Sequence, residues 1–163
     1  MKYLPIYLLL SCLFFDCQNE PAPVDYSHLP EAFRVEITNP AGTSLNHSFL
    51  PLPGNLGHLN ESTDVLVVAE QLKSGTQVWT RPIAALMLEE NGQTKQVIIA
   101  SPLDSLLRLS NTTNFSDFIT KNAGEKQIIQ DWFLYEKGLG KVSLVGWENE
   151  KYALGLVQNS TVH

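Results

Sequence analysis

The sequence predicts a mainly β fold of the α+β kind, a small closed barrel with helices packed on one side. Three observations carry that expectation. Alternating or near-continuous β-branched runs fill the first part of the domain. Asn91-Gly92 separates two of them, a strong hairpin signal. Helical spacing begins only after Pro102, and one further β run, Lys141–Trp147, returns late. The 163 residues suit one domain, since ~100–200 residues per domain is usual. With 44% hydrophobic and 17% charged residues, the chain lies outside the disordered class. Eleven Lys+Arg against seventeen Asp+Glu leave a net charge of −6. Phosphate neutralisation needs clustered Lys and Arg, so nucleic acid is excluded as a main partner.

Taken in order, residues 1–17 (MKYLPIYLLLSCLFFDC) place one Lys before an apolar run from Tyr3 to Phe15. That run is shorter than the ~20 residues of a spanning helix and fits the core of an export signal. Both cysteines, Cys12 and Cys17, sit at its end, and none follows. The placement resembles a bacterial lipoprotein signal, in which the Cys after the apolar run carries the lipid. Cys17 gives the better signal length, but Asp16 before it is a poor match; Cys12 has the small Ser11 before it but leaves a short signal. A plain cleaved signal and an uncleaved anchor are the alternatives. Residues 18–31, with three prolines, read as a linker, and 32–163 as the barrel domain.

Phe33–Ile37 alternates as a strand. Residues 37–60 hold no Asp, Glu, Lys or Arg; three prolines and three glycines make them irregular, with a short strand at Ser48–Leu50. Asp64–Ala69 has the pattern of a buried strand. Gln77–Leu88 and Lys95–Ser101 are the hairpin arms. Leu103–Leu109 and Asn114–Thr120 read as short amphipathic stretches. Glu125–Lys137 puts Ile128, Ile129, Trp132 and Phe133 on one helical face, and Gly138 and Gly140 end it. Glu148–Val157 is a final short helix.

The four histidines show no metal-ligand spacing, and the domain has no cysteine nucleophile, no G-x-S-x-G and no P-loop. The carboxylates say more. Glu61 and Asp64 stand at the mouth of one strand, Glu89 and Glu90 at the hairpin tip, and Glu36 within a strand. Carboxylates converging from strand ends are what hard divalent cations require. Ordinary solvated strand-end charge explains the same pattern.

Several segments together resemble one family. They are Val35-Glu36-Ile37 with Pro40-Ala41-Gly42-Thr43, Pro51-Leu52-Pro53-Gly54-Asn55-Leu56-Gly57, Asp64-Val65-Leu66-Val67, Ser74-Gly75-Thr76, Arg81-Pro82-Ile83-Ala84-Ala85-Leu86, Ile98-Ile99-Ala100-Ser101-Pro102 and Gly146-Trp147-Glu148-Asn149. Over roughly residues 33–157 the chain is similar to the soluble family I inorganic pyrophosphatases. The resemblance implies a closed five-stranded, OB-like barrel with helices outside. It also implies hydrolysis of pyrophosphate to two phosphates with Mg²⁺, oligomers, and a cytoplasmic place as the alternative to the bacterial envelope. In that family aspartates hold the metals, Lys and Arg hold the phosphates, and tyrosines orient them.

Position by position the carry-over is incomplete. Glu36 matches the opening-strand Glu. Asp64 is kept, Glu61 stands for a second Asp, and Leu59 replaces a third. Glu90 stands for one hairpin Asp, Lys95 replaces the other, and Val97 replaces a Lys. The late Tyr-Lys pair reads Tyr135-Glu136, and two tyrosines become Leu52 and Leu56. No Lys or Arg lies between Arg34 and Lys73, where the family has phosphate-holding cations. The resemblance thus implies Asp64 and Tyr135 as catalytic residues, Glu36, Glu61, Asp64 and Glu90 as metal ligands, and phosphate-binding residues that are unknown.

A charge-assisted bond contributes ~1.5–3 kcal/mol. Losing three or four cations and two metal carboxylates removes on the order of 6–10 kcal/mol, a rate loss of order 10⁴–10⁷. Lys95 among metal ligands would also repel the ion. Three readings follow: a pyrophosphatase with weak or lost catalysis, a non-catalytic envelope module on the same barrel, and a site changed toward a less charged phosphate or another ligand. In the last, residues 37–60 would line the pocket with His47 and His58; otherwise both are ordinary loop residues.

Overall fold

The longest strand organises the sheet. A computed structural model describes residues 24–39, 45–51 and 62–161. The expected signal with Cys12 and Cys17, the start of the linker, and Leu52, Leu56, His58, Leu59 and Glu61 lie outside the described residues. The described strands are β1 (Phe33–Glu36), β2 (Asn46–Pro51), β3 (Ser62–Val67), β4 (Gln77–Glu90), β5 (Gln93–Pro102) and β6 (Val142–Asn149). The order across the sheet is β1-β4-β5-β3-β2, and β6 also pairs with β4. β4 has fourteen residues, so one edge accommodates β1 at Gln77–Thr80 and β6 at Ala84–Glu90. Its other edge pairs with β5 through the Asn91-Gly92 turn. Both turn residues have positive φ, 55° and 77°, which is what a two-residue hairpin demands. The register slips between Pro82 and Ala84, where proline has no N–H for the ladder.

β3 runs parallel to β5, with Asp64 opposite Val97 and Leu66 opposite Ile99. Val65, Leu66 and Val67 are all buried, which is why this strand is apolar on both faces. β2 pairs antiparallel with β3. The sheet then curls until the exit of β1 meets β2. The Thr38 N–H donates to the His47 carbonyl at 2.8 Å, and Ser48 Oγ donates to the Glu36 carbonyl at 2.7 Å. These bonds join the two edges of a half-barrel; among the described residues they do not extend into a β1–β2 ladder.

Strand alternation builds two cores. Val65, Val67, Ile98 and Ala100 face inward with β1, Val78 and Ala153 and Val157 of the last helix. Leu66, Leu86, Val97 and Ile99 face outward, where Phe118, Ile129 and Phe133 of two other helices cover them. The helices are α1 (Phe115–Lys121), α2 (Ala123–Tyr135) and α3 (Glu150–Thr161). Asn114 caps α1 by accepting the Asp117 N–H at 2.9 Å. Asn149 accepts the Lys151 and Tyr152 N–H groups, both at 3.1 Å, at the start of α3. Gly138 and Gly140, with φ of 98° and 76°, turn the chain from α2 into β6.

The mainly β class and the outer helices match the expectation. The amphipathic stretch expected at Leu103–Leu109 is instead a run of turns. Asp104 takes the Leu106 N–H with its side chain at 2.9 Å, as a helix-opening cap would, but Leu109 has φ of 65°, a left-handed conformation that ends any helix there. Among the described residues, no helix is long and apolar enough to cross a membrane.

Candidate functional site

The outward face of β2, β3 and β5, beside the end of α2, gathers charge. Asp64 alternates with Leu66, so its side chain lies on the face that α2 covers. Lys95 stands two residues before Val97, the ladder partner of Asp64, and therefore on the same face. Its ammonium meets Asp64 Oδ2 at 2.5 Å. The Asp64 side chain is only 15% exposed, against 36% for Lys95. At the tip of β4, both oxygens of Glu90 accept from Lys137 Nζ, at 2.6 and 2.7 Å. Lys137 arrives from the turn after α2, 47 residues along the chain. The hydrogen bond from Lys137 is the main cause that holds Glu90 below the usual carboxylate range, against partial desolvation; the charges of Lys137 and Lys95 act the same way. Lys95 thus acts on both acids. Asp64 and Glu90 contribute −2 and Lys95 and Lys137 contribute +2, leaving the four groups neutral together.

His47 is not a loop residue. It lies on β2 opposite Leu66, and is only 6% exposed. No alternation marks this strand: Asn46, His47 and Ser48 are consecutive polar residues and all three are buried. Its ring packs on Trp132 at 4.9 Å and Phe133 at 6.2 Å, and its Nε2 has no hydrogen-bond partner. Burial pushes the imidazole below its usual 6.5; Asp64 and Glu136 oppose this, and Lys95 reinforces it. The sign follows from linkage. As pH falls through 6.5 the unfolded chain takes up a proton that folded His47 refuses, so stability falls with pH in that window. His47→Phe is expected to flatten this slope between pH 7.5 and 5.5 in urea melts; an unchanged slope would rule out His47 as its source.

The other implied residues are placed apart or elsewhere. The Glu36 carboxylate accepts from Gln77 Nε2 at 2.6 Å. Tyr135 ends α2 with its side chain exposed. Glu136 follows directly and is, with Asp64, the second negative charge acting on His47. Sequence reasoning missed the pairing of Lys137 with Glu90 and the cover that Trp132 places on His47.

Mg²⁺ needs oxygen ligands in near-octahedral order with its waters. Among the described residues, no group of three or more His, Cys, Asp or Glu side chains comes together to hold a metal. Asp64 and Glu90 already hold ammonium groups, which would lie beside any divalent ion placed there. The described donor set does not fit that ion.

The inorganic pyrophosphatase family model matches residues 19–163. A curated relative, the inorganic pyrophosphatase of Mesorhizobium japonicum, is 31% identical over 145 residues, covering 78% of this chain and 79% of its own. Among solved structures, the inorganic phosphatase of Anaplasma phagocytophilum superposes with a TM-score of 0.63 at 21% identity, covering 82% of this chain and 94% of its own. The inorganic pyrophosphatase of Helicobacter pylori gives 0.63 at 20%, covering 84% and 95%. That of Thermus thermophilus gives 0.60 at 23%, covering 85% and 93%. At these identities the structural likeness shows the fold.

Proposed function

Because the chain belongs to the inorganic pyrophosphatase family, whose reaction is the hydrolysis of pyrophosphate, we propose that it keeps the family barrel while that hydrolysis is weak or lost. The observation that carries this reading is the pairing of Asp64 with Lys95. A carboxylate that a Mg²⁺-dependent site would leave free for metal is closed by the chain's own cation. The lysines nearest the acids, Lys95 and Lys137, are likewise held and are not free donors for phosphate. Glu36, Glu61, Asp64 and Glu90 are the positions of the ancestral ligands, and Tyr135 is the position of the phosphate-orienting phenol. No catalytic step is assigned to them.

The test is phosphate release from pyrophosphate by the purified full chain with Mg²⁺ or Mn²⁺. Turnover is expected below about 1 s⁻¹, the low end of ordinary enzymes. Faster release that Asp64→Asn abolishes would overturn the proposal.

The sequence pattern of residues 1–17 supports a place on the bacterial envelope, with lipid on Cys17 or Cys12. Metabolic labelling with a fatty acid should mark the protein and should be lost in Cys17→Ser or Cys12→Ser. An unlabelled wild-type chain in the cytosolic fraction would return it to the cytoplasmic alternative.

A further inference from the structure

We propose that Lys95 and Lys137 are the permanent counter-ions of this site, so that the domain does not take up Mg²⁺ or Mn²⁺ there and does not need either ion to hold its fold. This rests on the family reading of Asp64 and Glu90 as ancestral ligand positions.

The argument begins with the ladder. Asp64 and Val97 are fixed as neighbours by β3–β5 pairing, and Lys95 is two residues away on the same face. The root of the Lys95 side chain is therefore set by the sheet, and only its methylene arm can swing. A tethered partner acts at a high effective concentration, whereas a dissolved ion must come from bulk. Lys137 is held differently. It rises from the turn that Gly138 begins and grips both oxygens of Glu90. Two-point contact satisfies the carboxylate as a metal would, without ligand exchange.

The charge count points the same way. Two ammonium groups against two carboxylates leave no local excess of negative charge in this four-group set. A divalent cation would have to displace a tethered cation or sit beside it. Like charges brought together suppress binding steeply. Mg²⁺ also gives up its water reluctantly, and two occupied carboxylates offer it little in return. Glu136 adds a negative charge near His47, but it is a member of neither ion pair.

The experiment is Mn²⁺ binding to the full chain, read by the electron paramagnetic resonance signal of free Mn²⁺. Wild type is expected to show no saturable binding up to about 1 mM, the weak end of the range for protein cation sites. Its melting midpoint should be the same in MgCl₂ as in EDTA at matched ionic strength. Lys95→Asp removes the fixed cation and adds a carboxylate, and should bind Mn²⁺ saturably and release it to excess Mg²⁺. Saturable binding by wild type that Asp64→Asn removes would overturn the proposal. So would a folded Lys95→Asp chain that still binds no Mn²⁺. If that variant does not fold, the wild-type titration and melts still decide. The two proposals fail separately. Turnover without metal binding sinks the proposed loss of hydrolysis and leaves the counter-ions standing. Metal binding without turnover does the reverse.

Discussion

With pyrophosphate and Mg²⁺, this chain is expected to release phosphate at least about 10⁴-fold more slowly than the inorganic pyrophosphatase of Mesorhizobium japonicum assayed beside it. Pyrophosphate carries several negative charges, and more charge concentrates on the leaving group as the bond breaks. Catalysis of such a step depends on cations already aimed at where that charge develops. Here residues 35–72 contain no Lys or Arg at all. Lys95 and Lys137 do come to the site, but each is bonded to a carboxylate at 2.5–2.7 Å. To hold a phosphate oxygen, either must first leave its carboxylate partner, so the new bond is partly offset by the one given up. Summed over the cations and metal carboxylates that the family resemblance implies are replaced, the expected deficit is on the order of 6–10 kcal/mol. A rate within about 100-fold of the relative, lost on Asp64→Asn, would mean that catalytic charge is supplied in a way the two ion pairs do not reveal.

How much of this was legible beforehand differs between scaffold and site. The β4–β5 hairpin was legible because Asn91-Gly92 fixes its own turn through positive φ. β3 was legible because burial on both faces demands an unbroken apolar run. The helix around Trp132 was found because an amphipathic helix must repeat its buried face, and it lies at Ala123–Tyr135, two residues earlier than expected. Leu103–Leu109 was misread because apolar spacing is blind to backbone conformation: Leu109, with φ of 65°, cannot continue a helix.

Within the site, the acids were visible one at a time, since a charge at a strand end stands out against an apolar run. Their partners were not. Lys95 reaches Asp64 across a parallel pair, and no turn residue announces the register of such a pair. Lys137 reaches Glu90 only once α2 is docked on the sheet. The resemblance, by setting Lys95 among positions it implies as metal ligands, did signal conflict with a metal. That it closes directly on Asp64 needed the fold.

Asn46→Leu is expected to cost about 2–4 kcal/mol in unfolding free energy, and with it the seating of His47. Asn46 opens β2 and is 1% exposed. Its Nδ2 donates to the Glu70 carbonyl at 2.9 Å, and its Oδ1 accepts the Leu72 N–H at 2.8 Å. Asn39 completes the clamp: its Nδ2 donates to the Leu72 carbonyl at 2.9 Å, and its Oδ1 accepts the His47 N–H at 3.0 Å. Two asparagines thus bind the 70–72 turn to the strand that carries His47. Leucine keeps roughly the volume of asparagine but leaves a donor and an acceptor without partners, at about 1–3 kcal/mol each in buried surroundings and less here, where the groups are half-buried. The urea midpoint should fall by about 1–2 M at an unchanged slope. Because His47 would lose its fixed place under Trp132, the loss of stability with falling pH should weaken in the same variant. A cost below about 0.5 kcal/mol would mean that water replaces both bonds, and that the turn is held by the β3–β5 ladder alone.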